Sequence, residues 1–82
     1  MRVLYFGRLR DAAGVSSQSC APPAEVVTIA DLREWLAGAN AALGEALRAP
    51  GVRMAMDQKF CTLETPIGDA EEIAFMAPFS GG

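Results

Sequence analysis

An α+β domain is predicted for this chain, with a mixed sheet of four or five strands covering one main helix plus short helices. Three observations carry that expectation. Short β-branched, aromatic and aliphatic runs stand near both ends, at Arg2-Val3-Leu4-Tyr5-Phe6 and Ile73-Ala74-Phe75-Met76. A helix-start signal at Thr28 precedes an apolar stripe of helical period. The order strand, strand, helix, strand, strand, strand then fits one two-layer domain in 82 residues.

The first strand places Val3 and Tyr5 on one side and Leu4 and Phe6 on the other, because successive side chains of a strand alternate. A sheet in so short a chain is hardly covered on both sides, so one of these pairs is expected to face solvent or a partner. Arg8 to Ala13 reads as a short helical turn that Gly14 ends by taking the left-handed position. A weaker strand from about Ser16 to Ala21 returns beside the first, and Pro22-Pro23 breaks it. Thr28-Ile29-Ala30-Asp31 has a hydroxyl at the cap and a carboxylate three residues later, close to a capping box. Ile29, Leu32 and Leu36 follow on one stripe, Asp31, Arg33 and Glu34 point away, and Gly38 is expected to close the helix. Trp35, beside the stripe, is a half-buried packing residue, with contact to a partner as the alternative. Asn40 caps a second short helix to about Arg48, with Leu43 and Leu47 inward, before Ala49-Pro50-Gly51 stops it. Val52 to Met56 and Lys59 to Thr62 are the third and fourth strands around an Asp57-Gln58 turn. Thr65 to Ala70 is loop and turn; Glu71 and Glu72 lead into the last strand and read as solvated charges rather than an acid-base pair.

Composition excludes much chemistry. The chain has no histidine, so imidazole base catalysis and the commonest metal ligand are absent. Its two cysteines, Cys20 and Cys61, are 41 residues apart with no second thiol or imidazole near either, which is not a metal-site spacing. Buried small apolar side chains are the favoured reading; a disulfide is the alternative that reducing compartments disfavour. Ten acidic against seven basic residues give a net charge of −3, which argues against nucleic acid and favours partners with basic surfaces. No apolar run approaches the roughly 20 residues that span a bilayer, and no basic-then-apolar leader precedes the first strand. A cytoplasmic chain without membrane contact is therefore expected.

The sequence closes on Pro78-Phe79-Ser80-Gly81-Gly82. A glycine pair packs no side chain and loses the most entropy on ordering, so it stabilises no fold. It does fit a channel too narrow for a Cβ and presents an α-carboxylate there, the mode of C-terminal capture. Simple fraying of a chain end is the alternative. Residues 1–77 are accordingly assigned to the folded domain and 78–82 to a flexible tail.

If the first and last strands pair in parallel at the sheet centre, the helix between them supplies the crossover. That is the β-grasp arrangement of ubiquitin. Val3, Tyr5, Ile73 and Phe75 then meet Ile29, Leu32 and Leu36 beneath the sheet, while Leu4, Phe6, Phe60 and Met76 collect on the open face. Such a patch marks a protein interface; the alternatives are mere surface hydrophobicity or a register shifted by one residue.

Val3-Leu4-Tyr5-Phe6-Gly7-Arg8-Leu9-Arg10-Asp11-Ala12-Ala13-Gly14 resembles the opening strand and turn of the small, sulfur-carrying subunits of molybdopterin synthase, within the ubiquitin-like sulfur-carrier family. Thr28 to Leu36 is similar to the main helix of that family, Asp57-Gln58 to its Asn-Gln turn, and Gly68 to Gly82 to its closing Asp-Gly-Asp-Glu, strand, Pro-Pro and Gly-Gly. The resemblance spans the chain. Ala70 stands for a turn glycine, Asp57 for an asparagine and Ala77 for the first proline, changes expected to alter turn strain and tail stiffness rather than chemistry.

The resemblance implies a cycle at Gly82, with the chain not catalytic alone. An adenylating activating enzyme would use Mg-ATP to turn the terminal carboxylate into an acyl-adenylate, and a sulfur donor enzyme would supply persulfide sulfur to give a thiocarboxylate. The large catalytic subunit of the synthase would take in the tail, in a complex of two small and two large subunits. There the sulfur would be delivered to cyclic pyranopterin monophosphate. Gly81 and Gly82 would give reach, Pro78 and Phe79 would direct and anchor the tail that also contains Ser80, and Phe6, Phe60 and Met76 would dock the body. No cofactor or metal is expected on the chain itself. Two other readings stay open: a sulfur carrier for thiamine or another cofactor, and a ubiquitin-like interaction module or modifier without sulfur chemistry. Carriers for thiamine tend to lack the helical turn found here at Arg8 to Gly14.

Overall fold

Strands β1 (Arg2–Phe6) and β5 (Glu72–Met76) lie side by side and parallel, with Val3 opposite Ile73 and Tyr5 opposite Phe75. The structure, a computed structural model, describes residues 1–78. β2 (Ser17–Ser19) adds antiparallel to the outer edge of β1. β3 (Arg53–Met56) adds antiparallel to β5, and β4 (Lys59–Cys61) to β3, giving one five-stranded sheet in the order β2-β1-β5-β3-β4. Helices α1 (Arg8–Ala13), α2 (Ile29–Ala39) and α3 (Ala41–Leu47) complete the chain order.

Helix α2 begins where the sequence places it, for a local reason and a tertiary one. Thr28 Oγ1 accepts from the Asp31 amide at 3.2 Å, and Asp31 Oδ2 accepts from the amides of Thr28 and Val27 at 3.0 Å each. These backbone donors hold the Asp31 carboxyl below its ordinary pKa. The first-turn amides of Ile29 and Ala30, orphans in an isolated helix, donate to the carbonyls of Thr65 and Leu63. The helix start is thus stitched to the 62–67 loop.

Gly38 does not close α2, which continues to Ala39. The stop is Asn40, whose extended backbone ends α2 while its Oδ1 accepts from the Leu43 amide at 3.0 Å and caps α3. Its Nδ2 donates to Ala12 O at the end of α1 and its backbone amide donates to Ala37 O of α2, so one residue ties three helices. Strand β2 is shorter than the expected Ser16 to Ala21. Cys20 N still donates to Met1 O, beyond the last paired residues Arg2 and Ser19. β4 stops at Cys61, because the Thr62 amide turns to Thr65 Oγ1 instead of extending the ladder. Asp57 and Gln58 both have positive φ, 50° and 71°, as a two-residue type I′ hairpin requires. Asp57 Oδ1 accepts from the amides of Glu71 and Glu72, pinning the hairpin to the start of β5. An asparagine oxygen would serve the same donors, which explains why the carboxylate is tolerated there.

The core lies between the inner face of the sheet and the helices. Val3, Tyr5, Ile73 and Phe75 from the central strands pack with Ile29, Leu32 and Leu36 of α2, and Leu9, Leu43, Leu47 and Met54 extend the cluster. Tyr5 and Phe75 stack with ring centroids 6.5 Å apart. Trp35 is half-buried against this cluster, as its place beside the stripe predicts.

Phe75→Ala is expected to cost about 3–5 kcal/mol in urea denaturation, since it empties a fully buried site. Phe60→Ala, at 69 % exposure, is expected to cost under about 1 kcal/mol. Equal losses would refute the assignment of the two sheet faces. Burial, and secondarily the charge of Cys20, pushes the Tyr5 hydroxyl up to about 12 from 10.0. The unfolded chain therefore releases that proton first: stability is unaffected below pH 10 and falls as pH rises from 10 towards about 12. Tyr5→Phe is expected to remove that part of the alkaline loss, measured as the denaturation midpoint against pH.

Candidate functional site: the open sheet face

The side chains that alternate with the core form two rows across the outer face. One row runs Ser17, Leu4, Ala74, Ala55, Phe60 from edge to edge, each opposite the next in the strand register. The adjacent row runs Phe6, Met76, Arg53. Both rows follow from the period of two: with Val3, Tyr5, Ile73 and Phe75 committed to the core, their neighbours must face outward. Among the described residues no helix covers them. Phe6 is 49 % exposed, while Leu4, Ala55 and Met76 are half-buried by their neighbours.

Phe6, Phe60 and Met76, the expected docking residues, therefore share one face. Phe6 and Met76 are direct cross-strand partners, and Phe60 lies two strands further along in the neighbouring row. Arg53 joins the two rows: its guanidinium carbon sits 4.8 Å from the centroid of the Phe60 ring. Sequence reading treats Arg53 only as a strand residue. Its spacing of two from Ala55 was the available signal, since Ala55 pairs with Phe60. Apart from Arg53 the two rows carry no charge. A further row is formed by the Arg2–Glu72 ion pair, 2.8 Å long, so Glu72 is paired rather than merely solvated, and Glu71 is exposed.

The face has a direction. β5 runs through its centre and delivers the chain, by way of Met76, Ala77 and Pro78, to the rim that also holds Phe6 and Arg53. Pro78 is exposed there. The expected tail positions Phe79, Ser80, Gly81 and Gly82 lie outside the described residues. At the opposite end, Arg2, Ser19, Asp57, Gln58 and Asp69–Glu72 line an open polar depression. Among the described residues no group of three His, Cys, Asp or Glu side chains is placed to hold a metal, and no helix is long and apolar enough to cross a membrane.

Cys20 and Cys61 are free thiols, half-buried rather than fully buried. Cys20 follows the edge strand β2 and Cys61 lies in the opposite edge strand, four inter-strand steps or about 19 Å apart, which forbids a disulfide. Loss of hydration raises both thiol pKa values above 9.0; for Cys20 the nearby N-terminal charge opposes this without overcoming it. Neither has the electropositive setting of a reactive cysteine.

A five-stranded mixed sheet grasping one helix, with its outer face open beside the strand that leads to the C-terminal segment, defines a ubiquitin-like β-grasp protein. The chain belongs to the ThiS family, whose model matches residues 3–82. It is 28 % identical over 82 residues to the molybdopterin synthase sulfur carrier subunit of Escherichia coli (strain K12), covering 100 % of this chain and 99 % of that protein. Its fold is similar to the crystal structure of SAMP1 from Haloferax volcanii, at a TM-score of 0.82 and 22 % identity over 100 % of this chain and 98 % of that one. It is also similar to a Pyrococcus furiosus protein described as molybdopterin converting factor, subunit 1, at a TM-score of 0.77 and 23 % identity over 95 % of each chain.

Both thiols are expected to react with an aromatic disulfide reagent at pH 7 more slowly than free cysteine, with rates still rising beyond pH 9.0. A thiol faster than free cysteine at neutral pH would overturn their assignment as packing residues.

Proposed function

We propose that this chain is a sulfur carrier whose C-terminal Gly82 is the reactive group, serving as the small subunit of molybdopterin synthase. The observation that supports it most is the open apolar face of Leu4, Phe6, Phe60 and Met76, joined through β5 to the strand end that leads into Phe79-Ser80-Gly81-Gly82. Similarity along nearly the whole of the Escherichia coli sulfur carrier subunit supports the molybdopterin assignment, as does the α1 turn after β1.

The division of labour follows from what the chain lacks. It has no histidine and no activated thiol, so the chemistry belongs to the terminus and to partner enzymes. The carboxylate of Gly82 attacks the α-phosphorus of Mg-ATP in the activating enzyme, giving an acyl-adenylate and pyrophosphate. A persulfide from the sulfur donor displaces AMP, and a second thiol reduces the resulting acyl disulfide, releasing a thiocarboxylate. That sulfur is soft and anionic, a better nucleophile than the oxygen it replaces. Fully extended, the four residues beyond Pro78 span at most about 14 Å, enough to enter a narrow channel while the body stays docked. The large subunit would seat on the apolar face, and an acidic group opposite Arg53 would complement its one charge. By the same resemblance the working complex holds two subunits of each kind.

Incubation with activating enzyme, ATP and sulfur donor is expected to raise the intact mass by about 16 Da, sulfur replacing oxygen at the C-terminus. Deleting Gly82 is expected to abolish the gain with the denaturation midpoint unchanged. Phe60→Asp is expected to weaken large-subunit binding at least about tenfold, also without loss of stability. An isopeptide-linked conjugate without the mass gain would establish the modifier reading instead. A loaded chain that never yields molybdopterin with the large subunit would point to a carrier for thiamine or another cofactor.

A further inference from the structure

The end of β5 passes between two glycines contributed by the strands' neighbouring loops. Gly7 follows β1 and Gly51 precedes β3, and β1 and β3 are the strands on either side of β5. A methyl group built on Gly7 would lie 3.3 Å from Cβ of Ala77. One built on Gly51 would lie 3.1 Å from Cγ and 3.3 Å from Cβ of Pro78. Both glycines also have positive φ, 66° and 86°, which directs their backbones around the emerging chain. Positive φ alone does not require such contact: Gly14 at 81° and Gly68 at 55° have nothing among the described residues within 4 Å of the corresponding point.

We propose that Gly7 and Gly51 form a seat that sets the exit direction of the C-terminal tail, Gly51 acting as a positioning residue through Pro78. The inference rests on the sulfur-carrier reading and adds how the body aims the reactive end. Ala77 and Pro78 extend past the last paired residue of β5, so ladder hydrogen bonds no longer orient them. Pro78 also has no amide hydrogen to donate. Side-chain and backbone contact at the rim is what remains to orient them. From there the tail has only four residues in which to reach a channel, so a change of direction at Pro78 displaces the terminal carboxylate by ångströms. Misplacement on that scale costs large factors in rate even when binding is intact.

The test compares Gly51→Ala with Gly14→Ala in the full chain, because the two positions share nearly the same φ and differ in contact with the tail. Both are first shown to be folded by circular dichroism. Loading at Gly82 is then followed by mass with the activating enzyme, ATP and sulfur donor. Gly51→Ala is expected to keep KM within about twofold and lose about tenfold in kcat, with Gly14→Ala near wild type. Pro78→Gly removes the ring through which Gly51 acts, so the double variant is expected to match Pro78→Gly alone rather than lose a further tenfold. Equal kcat for the two alanine variants, or a Gly51→Ala loss that persists in full without the Pro78 ring, overturns the seat. A readout independent of loading and of either variant is the nuclear Overhauser effect between Gly51 Hα and the Pro78 ring protons in the wild-type chain, whose absence also overturns the seat. If the wild-type chain is not loaded at all, the sulfur-carrier reading falls and the Overhauser contact alone decides the seat.

Discussion

The parallel pairing of β1 with β5 is the constraint on which the other features depend. Two parallel neighbours far apart in sequence need their connection to cross one face of the sheet, and α2 occupies the inner face with Ile29, Leu32 and Leu36. That packing commits Val3, Tyr5, Ile73 and Phe75 to the interior, at 0–1 % exposure. The residues between them then have no choice of side. Core and candidate interface are opposite faces of the same two strands, and a register slip of one residue would exchange them.

This arrangement separates stability from interaction. The inner face contains the large buried side chains, while the outer face leaves Phe60 and about half of Phe6 exposed beside a half-buried Met76. A small domain can keep such a patch because its charges lie elsewhere: Arg2 with Glu72 at the start of the central strands, and Arg48 with Glu34 between helices. Arg53 is the exception. Its guanidinium rests over the Phe60 ring, where the methylene stem adds to the apolar surface and the head keeps its water. A partner that covers this face must also answer that one positive charge.

Much was legible from local pattern. The Thr28–Asp31 capping signal, the Asn40 cap, Gly14 at the end of α1 and the Asp57-Gln58 turn each depend on residues within four positions, and all are found in place. Gly38 was misleading because glycine ends a helix only when the next packing interaction permits it. Here Leu36 and the α3 junction hold the backbone helical through Ala39, against a propensity cost near 1 kcal/mol. The outer patch was partly legible: alternation assigns Leu4, Phe6 and Met76 once the inner face is known. Arg53 was not, because it gains its meaning from Phe60, seven positions away across a hairpin.

The sequence by itself determined the alternation of the central strands and the position and apolar stripe of α2, since each is written in short-range period. Only the tertiary structure decided which strand neighbours which, how Arg53 meets Phe60, and that Gly7 and Gly51 flank Ala77 and Pro78. Those relations join residues as many as 70 positions apart, Gly7 to Ala77. No local periodicity encodes such separations, because the entropy of closing so long a loop is recovered only when the whole core assembles.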